Sequence, residues 1–282
     1  MTDYGPATEA KINEVVAACE SYGSRAIVAL AGVPGTGKSF VASIAAQRFA
    51  GEPLFVRELQ FHQSFSYEEF VEGMRIDTDG GVRVVPGVFL EWNDRALDDP
   101  GNRYVLLVEE LTRANIAAVL GELLTYVEHR SRAFLTIYSR RPVFVANNLT
   151  ILATYNPTDR TALELDAALL RRLRIIRCPP SMEQLAEMLK ASELTPTVVQ
   201  RLRRIFEVCR ERFPDMYQDT MPFGHGIFAD VKREKPDLSR LWAERIEHLL
   251  RRPLVEPHAF TDTIEELYPW KDPSYSEPPP AT

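Results

Sequence analysis

Residues 25–40 read "RAIVALAGVPGTGKSF". The first seven form a short, nearly all-apolar run, as a parallel strand buried on both faces requires. The run passes directly into Gly32-Val33-Pro34-Gly35-Thr36-Gly37-Lys38-Ser39, which satisfies G-x-x-x-x-G-K-[ST], and then into the helical stretch "VASIAAQRFA". Strand, glycine loop and helix together are the context in which this spacing is a phosphate cradle rather than a chance turn. Glycines let successive backbone N–H groups curl around an anion, and the helix N-terminus adds its partial positive charge. Lys38 reaches the outer phosphates, and Ser39 offers a hydroxyl to Mg2+. The nucleotide-binding candidates are therefore Gly32, Val33, Pro34, Gly35, Thr36, Gly37, Lys38 and Ser39, with Phe40 adjoining.

Downstream, "YVLLVEELTRAN" (104–115) is a second buried strand that ends in two carboxylates, Glu109 and Glu110. With a phosphate loop upstream, the first carboxylate suits Mg2+, often through water, and the second suits polarising the attacking water. Without that loop the pair would read as a strand running out to solvent. Further apolar runs at "LFVREL" (54–59), "NLTILATYN" (148–156) and "RIIRCPP" (174–180) alternate with helical stretches. Five strands in that rhythm predict an α/β fold, a five-stranded parallel sheet around a P-loop. "RIDTDGGVRVV" (75–85) and "AFLTIYSRRPVFV" (133–145) read as hairpin inserts. "IAAVLGELLTYVEHR" (116–130) reads as one amphipathic helix. From Ser181 onward the pattern is helical, which places a boundary near Pro180, a helical C-terminal domain over 181–270 and a disordered, proline-rich tail over 271–282.

Composition limits the options. Across 282 residues, 45% are hydrophobic and 26% charged, and no apolar run approaches the length of a membrane span. The N-terminal stretch lacks a secretory pattern, and Cys19, Cys178 and Cys209 are scattered, so a reducing, cytoplasmic setting is expected. A net charge of −7 argues against a surface that binds nucleic acid all over, though not against a local basic channel.

The phosphate loop, "VLLVEELTRANIAAVLGELLTYVE" and "NLTILATYNPTDRTALELDAALLRRL" resemble the AAA+ superfamily. More narrowly, they resemble the motor subunits of modified-cytosine restriction systems (the McrB type), with patterns close to DEINRxNxxxxxGELLxxxE and NxxxxGTMNxxDRSxxxxDxALxRRF. "FHQSFSYEEFVEG" (61–73) and "PFGHGIF" (222–228) are similar to two further motifs of that group. The resemblance spans roughly residues 24–255. It implies a helical lid, a ring, in this group a hexamer, and an effector or nuclease partner of the McrC type. It also implies that Glu110 is the catalytic base and that Asn156 senses the γ-phosphate or lytic water. Arg171 and Arg172 would serve a neighbouring subunit's nucleotide, with Asp166 and Asp159 at acidic interface positions. Taken alone, "LLRRLRIIR" is also a basic helix end resting on its own dipole.

The chain departs from those patterns at three places. Glu109 stands where aspartate is usual, Thr112 where asparagine is common, and Tyr155 where methionine is found. One added methylene displaces a charge that must be well positioned, so a slower motor or a nucleotide-gated scaffold stays open. The substrate is ATP or GTP; no short motif selects the base. In this branch the 133–145 hairpin points into a central pore, and Arg130, Arg132, Arg140 and Arg141 would give it a cationic lining for DNA. A solvated hairpin or a subunit contact is the alternative. The aromatics Phe61, Phe65, Tyr67 and Phe70 are expected to pack a short helix onto the sheet. His62 is expected to be structural, and His225 to form a turn or approach the nucleotide. With about two dozen residues before the first strand, target reading is expected from another subunit. A MoxR-like remodeller of a protein client is the rival function.

Overall fold

A computed structural model describes residues 5–159, 167–192, 194–212, 221, 223–232, 237–250, 258–272 and 275. It resolves into two compact units.

The larger unit comprises residues 9–31 and 38–177. Its strands in chain order are β1 (Ile27–Ala31), β2 (Val56–Gln60), β3 (Glu72–Ile76), β4 (Val82–Pro86), β5 (Tyr104–Glu109), β6 (Phe134–Leu135), β7 (Pro142–Val143), β8 (Leu149–Tyr155) and β9 (Leu173–Arg177). Five of them form one parallel sheet in the order β2-β5-β8-β1-β9. Every residue of β1 and β8 is buried, and so is all of β5 except Glu109. Helices on both faces of a parallel sheet leave its central strands no polar side. The edges differ: β2 carries Arg57 and Glu58 and β9 carries Arg174 and Arg177, and charge of this kind keeps an exposed edge from pairing with another chain.

The aromatic stretch packs as expected. Phe61 and Phe70 are fully buried, Phe65 stacks on Phe61 with centroids 4.7 Å apart, and Phe70 stacks on Phe89. His62 is exposed and meets Phe65 edge-on. The turn Tyr67–Phe70 is held by a reciprocal capping pair between Ser66 and Glu69.

The single helix expected over 116–130 is instead two short helices, Ile116–Leu120 and Leu123–Tyr126, broken at Gly121. Gly121 adopts φ 49°, ψ −127°, a conformation that side-chain-bearing residues avoid, and a Cβ there would lie 2.9 Å from the Tyr67 ring. The close approach seats Tyr67 against the chain and overrides an unbroken apolar stripe. Gly121→Ala should therefore lower stability by about 2 kcal/mol, read as an earlier denaturant midpoint. A midpoint equal to wild type would mean that the break is not enforced.

Both expected hairpins are present, β3 with β4 and β6 with β7. They are joined by Glu72, which is 2% exposed and accepts from the Tyr138 N–H (2.7 Å), the Ser139 N–H (2.9 Å) and the Ser139 hydroxyl (2.6 Å). Burial alone would raise the Glu72 pKa, but these donors together hold it below the usual carboxylate range.

The smaller unit comprises the described residues among 5–8, 32–37 and 178–275. Helices Met182–Lys190, Pro196–Arg212, Leu238–Leu241, Glu247–Leu250 and His258–Leu267, with a π-helical turn Trp242–Ile246, surround a core of Leu185, Leu202, Phe206, Phe223, Phe228, Trp242 and Tyr268. Of the 271–282 tail, Lys271, Asp272 and Tyr275 are described, and Tyr275 meets Trp270 edge-on. Residues 273, 274 and 276–282 lie outside the described residues.

Candidate nucleotide site

The loop after β1 has the geometry its glycines predict. Gly35 and Gly37 take φ 77° and 75°, the left-handed conformation that turns successive N–H groups to one side. A Cβ on Gly32 would sit 2.3 Å from the Cys178 carbonyl oxygen, so only glycine fits there. The buried Thr36 donates its hydroxyl to the Val33 carbonyl (3.0 Å) and closes the loop, while Pro34 is exposed. Lys38 and Ser39 open the helix Lys38–Ala50, with Phe40, 49% exposed, in its first turn.

The sheet order makes the carboxylate end of the site. β8 lies between β5 and β1, and Val108 pairs with Ala153, so the next residues along, Glu109 and Thr154, reach the sheet's C-terminal edge side by side. Thr154 donates its hydroxyl to Glu109 Oε2, and Ser39 donates to the same oxygen at 2.8 Å. Two hydroxyls from separate chain segments thus converge on one carboxylate. This hard-oxygen donor set suits Mg2+, which keeps part of its water and takes one or two carboxylates together with substrate phosphates. The added methylene of Glu109 leaves its carboxylate within reach of the loop serine.

Glu110 occupies the left-handed region, φ 55°, ψ 45°, which is uncommon for a non-glycine residue. Its N–H donates to Thr154 Oγ1 (3.4 Å), and its carboxylate accepts from Arg113 Nε (3.2 Å). Strained backbone of this kind is retained where the surroundings impose it. Arg113 Nε also lies 3.7 Å from Asp159, which accepts from Asn156 Nδ2 (3.2 Å). Asn156 Oδ1 in turn accepts from the backbone and hydroxyl of Thr158 (3.1 and 2.8 Å). Glu110, Arg113, Asp159 and Asn156 form one chain of polar contacts.

Arg171 and Arg172 end the helix Ala167–Arg172 and meet Glu128 differently. Arg172 lies 3.2 Å from Glu128 with its side chain 12% exposed, whereas Arg171 stands 3.7 Å away and is 70% exposed. Asp166 lies outside the described residues.

Thr154, Arg113 and Glu128 went unassigned in the sequence. Thr154 had a signal, since it stands in register with the threonine of the GTMN pattern two residues before Asn156. Arg113 and Glu128 had one too, since they fall on the arginine and the last glutamate of the DEINRxNxxxxxGELLxxxE pattern, but their partners become neighbours only in the folded chain.

The cationic hairpin needs correction. Arg130 is 7% exposed and donates to the carbonyls of Gly23 (2.7 Å), Val127 (3.3 Å), Ala146 (2.5 Å) and Leu149 (2.6 Å). Burial pushes its guanidinium down to about 10, still charged at neutral pH. Arg141 forks onto both carboxylate oxygens of Asp94. The first is a structural clamp and the second, though exposed, is held in an ion pair, which leaves Arg132 and Arg140 as the exposed cations of the four that show no ion pair among the described residues. Among the described residues no group of three or more His, Cys, Asp or Glu side chains forms a separate metal site, and no helix is long and apolar enough to cross a membrane.

The model of the AAA domain (dynein-related subfamily) matches residues 27–173, from β1 to the start of β9. The chain belongs to the AAA family. This AAA protein is 29% identical over 253 residues, 85% of its length, to the Type IV methyl-directed restriction enzyme EcoKMcrB subunit of Escherichia coli (strain K12), of which it covers 55%. It is 22% identical over 183 residues, 50% of its length, to the Type II restriction enzyme BsuMI component YdiS of Bacillus subtilis (strain 168), of which it covers 53%. The chain spans about half the length of the curated relatives it matches. Both are components of restriction enzymes, in keeping with the motifs that carry the sequence resemblance.

Proposed function

We propose that this AAA protein is a ring-forming nucleoside triphosphatase that hydrolyses ATP or GTP and drives a restriction-like, antiviral complex acting on nucleic acid through a partner effector or nuclease subunit. The observation that carries the reading is the convergence of Ser39 and Thr154 on Glu109 beside a backbone-constrained Glu110. The loop N–H groups and Lys38 hold the phosphates, Ser39 and Glu109 hold Mg2+, and Glu110 takes the proton of the attacking water. Bound Mg2+ neutralises charge that grows on the phosphate oxygens during transfer. Asn156 orients the water, and its hydrogen bonds with Thr158 and Asp159 support that role. The likeness to two restriction components supports the setting in a defence complex.

One observation favours a protein client instead. The cross-strand pairs Met74 with Val84 and Ile76 with Val82 line one face of the β3–β4 hairpin, and all four side chains are exposed. Apolar ladders of this kind mark protein contacts more often than phosphate contacts.

Steady-state release of phosphate from ATP and from GTP, with and without DNA, separates the two. The nucleic-acid reading expects DNA to raise turnover several-fold, and Arg132→Ala with Arg140→Ala to remove that rise while leaving the DNA-free rate unchanged. Turnover indifferent to every DNA tested would move the assignment to a protein client. No turnover of either nucleotide would reduce the protein to a nucleotide-gated scaffold.

A further inference from the structure

Within the smaller unit, the segment Gly224–Gly226 lies against the phosphate-loop residues Pro34 and Gly35. Gly224 N–H donates to the Pro34 carbonyl (2.8 Å), and Gly226 N–H donates to the Gly35 carbonyl (2.6 Å). Both glycines are required by this approach: a Cβ on Gly224 would lie 2.4 Å from Gly35 O, and one on Gly226 would lie 2.8 Å from it. The residue between them, His225, is therefore held at fixed depth over the loop. It is 4% exposed.

The hydrogen bonding of His225 fixes its tautomer. The backbone N–H of Ser181 points at Nδ1 at 3.2 Å, so Nδ1 is an acceptor without a proton. Burial pushes the imidazole down to about 4, against a smaller opposing pull from Glu187, so the ring is neutral at physiological pH. A neutral ring with a bare Nδ1 carries its proton on Nε2. That nitrogen has no hydrogen-bond partner among the described residues, and it lies 3.8 Å from where a Cβ on Gly37 would stand. An N–H donor with no acceptor from the protein is available to a ligand oxygen. Gly37 immediately precedes Lys38 in the stretch of loop whose backbone cradles the inner phosphates.

We propose that His225 is a nucleotide-binding residue, its Nε2–H donating to a phosphate oxygen of a bound nucleoside di- or triphosphate. The inference rests on the nucleotide-site reading above and adds a donor from the same unit as loop residues 32–37. It also gives that unit a link to ligand: the same ring accepts from Ser181, the residue whose hydroxyl caps the helix Met182–Lys190 at Gln184 N–H (3.1 Å). A phosphate gripped at Nε2 thus fixes the start of that helix through Nδ1.

Two near-isosteric substitutions separate the ring's two nitrogens. Asparagine places an oxygen near the Nδ1 position and nothing at Nε2, whereas glutamine places an N–H donor near Nε2. Affinities of the wild-type chain, His225→Asn and His225→Gln for ADP, ATP, GDP and GTP with Mg2+ are measured by titration calorimetry, with Lys38→Ala as control. His225→Asn should keep the ligand-free melting midpoint of wild type and bind each nucleotide that wild type binds roughly tenfold more weakly, as loss of a hydrogen bond to a charged group predicts. His225→Gln should recover most of that affinity. Wild-type affinity in His225→Asn, alongside lost binding in Lys38→Ala, would overturn the role of His225 and leave the site reading intact. Equal weakening in both variants would also overturn it, because the distal donor would then not be what matters. Failure of the wild-type chain to bind any of the four nucleotides, or undiminished binding in Lys38→Ala, would remove the nucleotide-site reading itself.

Discussion

Glu110→Gln should leave nucleotide affinity within about twofold of wild type and slow turnover by roughly 10²- to 10⁴-fold, the range that a positioned general base contributes. The substitution keeps the size and shape of the side chain and removes its ability to take a proton. Nothing in the loop or in the Ser39–Glu109–Thr154 cluster depends on Glu110's charge, so phosphate and Mg2+ contacts should persist. The backbone N–H of Glu110 still reaches Thr154, and the amide oxygen of glutamine can still accept from Arg113. Binding isotherms set beside single-turnover phosphate release test this directly. A Gln variant that hydrolyses at the wild-type rate would move the base elsewhere. Lys38→Ala supplies the contrast, since it acts on binding before any chemistry begins.

The second large effect concerns the arginine pair, which the sequence treats as equivalent and the fold does not. Arg172 is held against Glu128 and largely shielded, while Arg171 projects into solvent. A residue that serves a neighbouring subunit's nucleotide must be free to leave its own surface, and Arg171 alone fits that requirement. Arg171→Ala should therefore cut turnover by about 10³-fold or more, as removal of a charge-stabilising arginine finger does. Arg172→Ala should act mainly by loosening the helix end, with a lower melting midpoint. Mixing Arg171→Ala with Glu110→Gln subunits should restore part of the lost activity, because a mixed pair can hold one intact base and one intact finger. Such head-to-tail complementation requires a heterologous contact between subunits. If no mixing ratio recovers turnover, Arg171 does not act across a boundary.

What the sequence revealed and what it hid follow from the range over which each signal acts. The phosphate loop was legible because its function resides in consecutive backbone N–H groups, and "GVPGTGKS" specifies them directly. The buried strands were legible because a parallel core removes polar alternation. The order of those strands was not, and with it went the role of Thr154, which depends on β8 lying beside β5. The break at Gly121 was hidden by apolar residues that keep helical spacing on both sides of it; a ring from Tyr67, remote in sequence, imposes it. The basic hairpin misled for a related reason. Composition counts arginines, but burial engages Arg130 and the carboxylate of Asp94 engages Arg141, so neither is a free cation.

The buried Glu72 has a mechanical implication. A carboxylate on the first strand of one hairpin grips the turn of another some 66 residues later, and Tyr138 returns the grip through its hydroxyl to Glu68 (2.6 Å). The tip that carries Arg140 in a left-handed backbone conformation is therefore not an independent finger. A load applied at that tip is delivered to β3 and from there to the turn that packs Phe70 into the core, so the two inserts work as one lever with its fulcrum at Glu72.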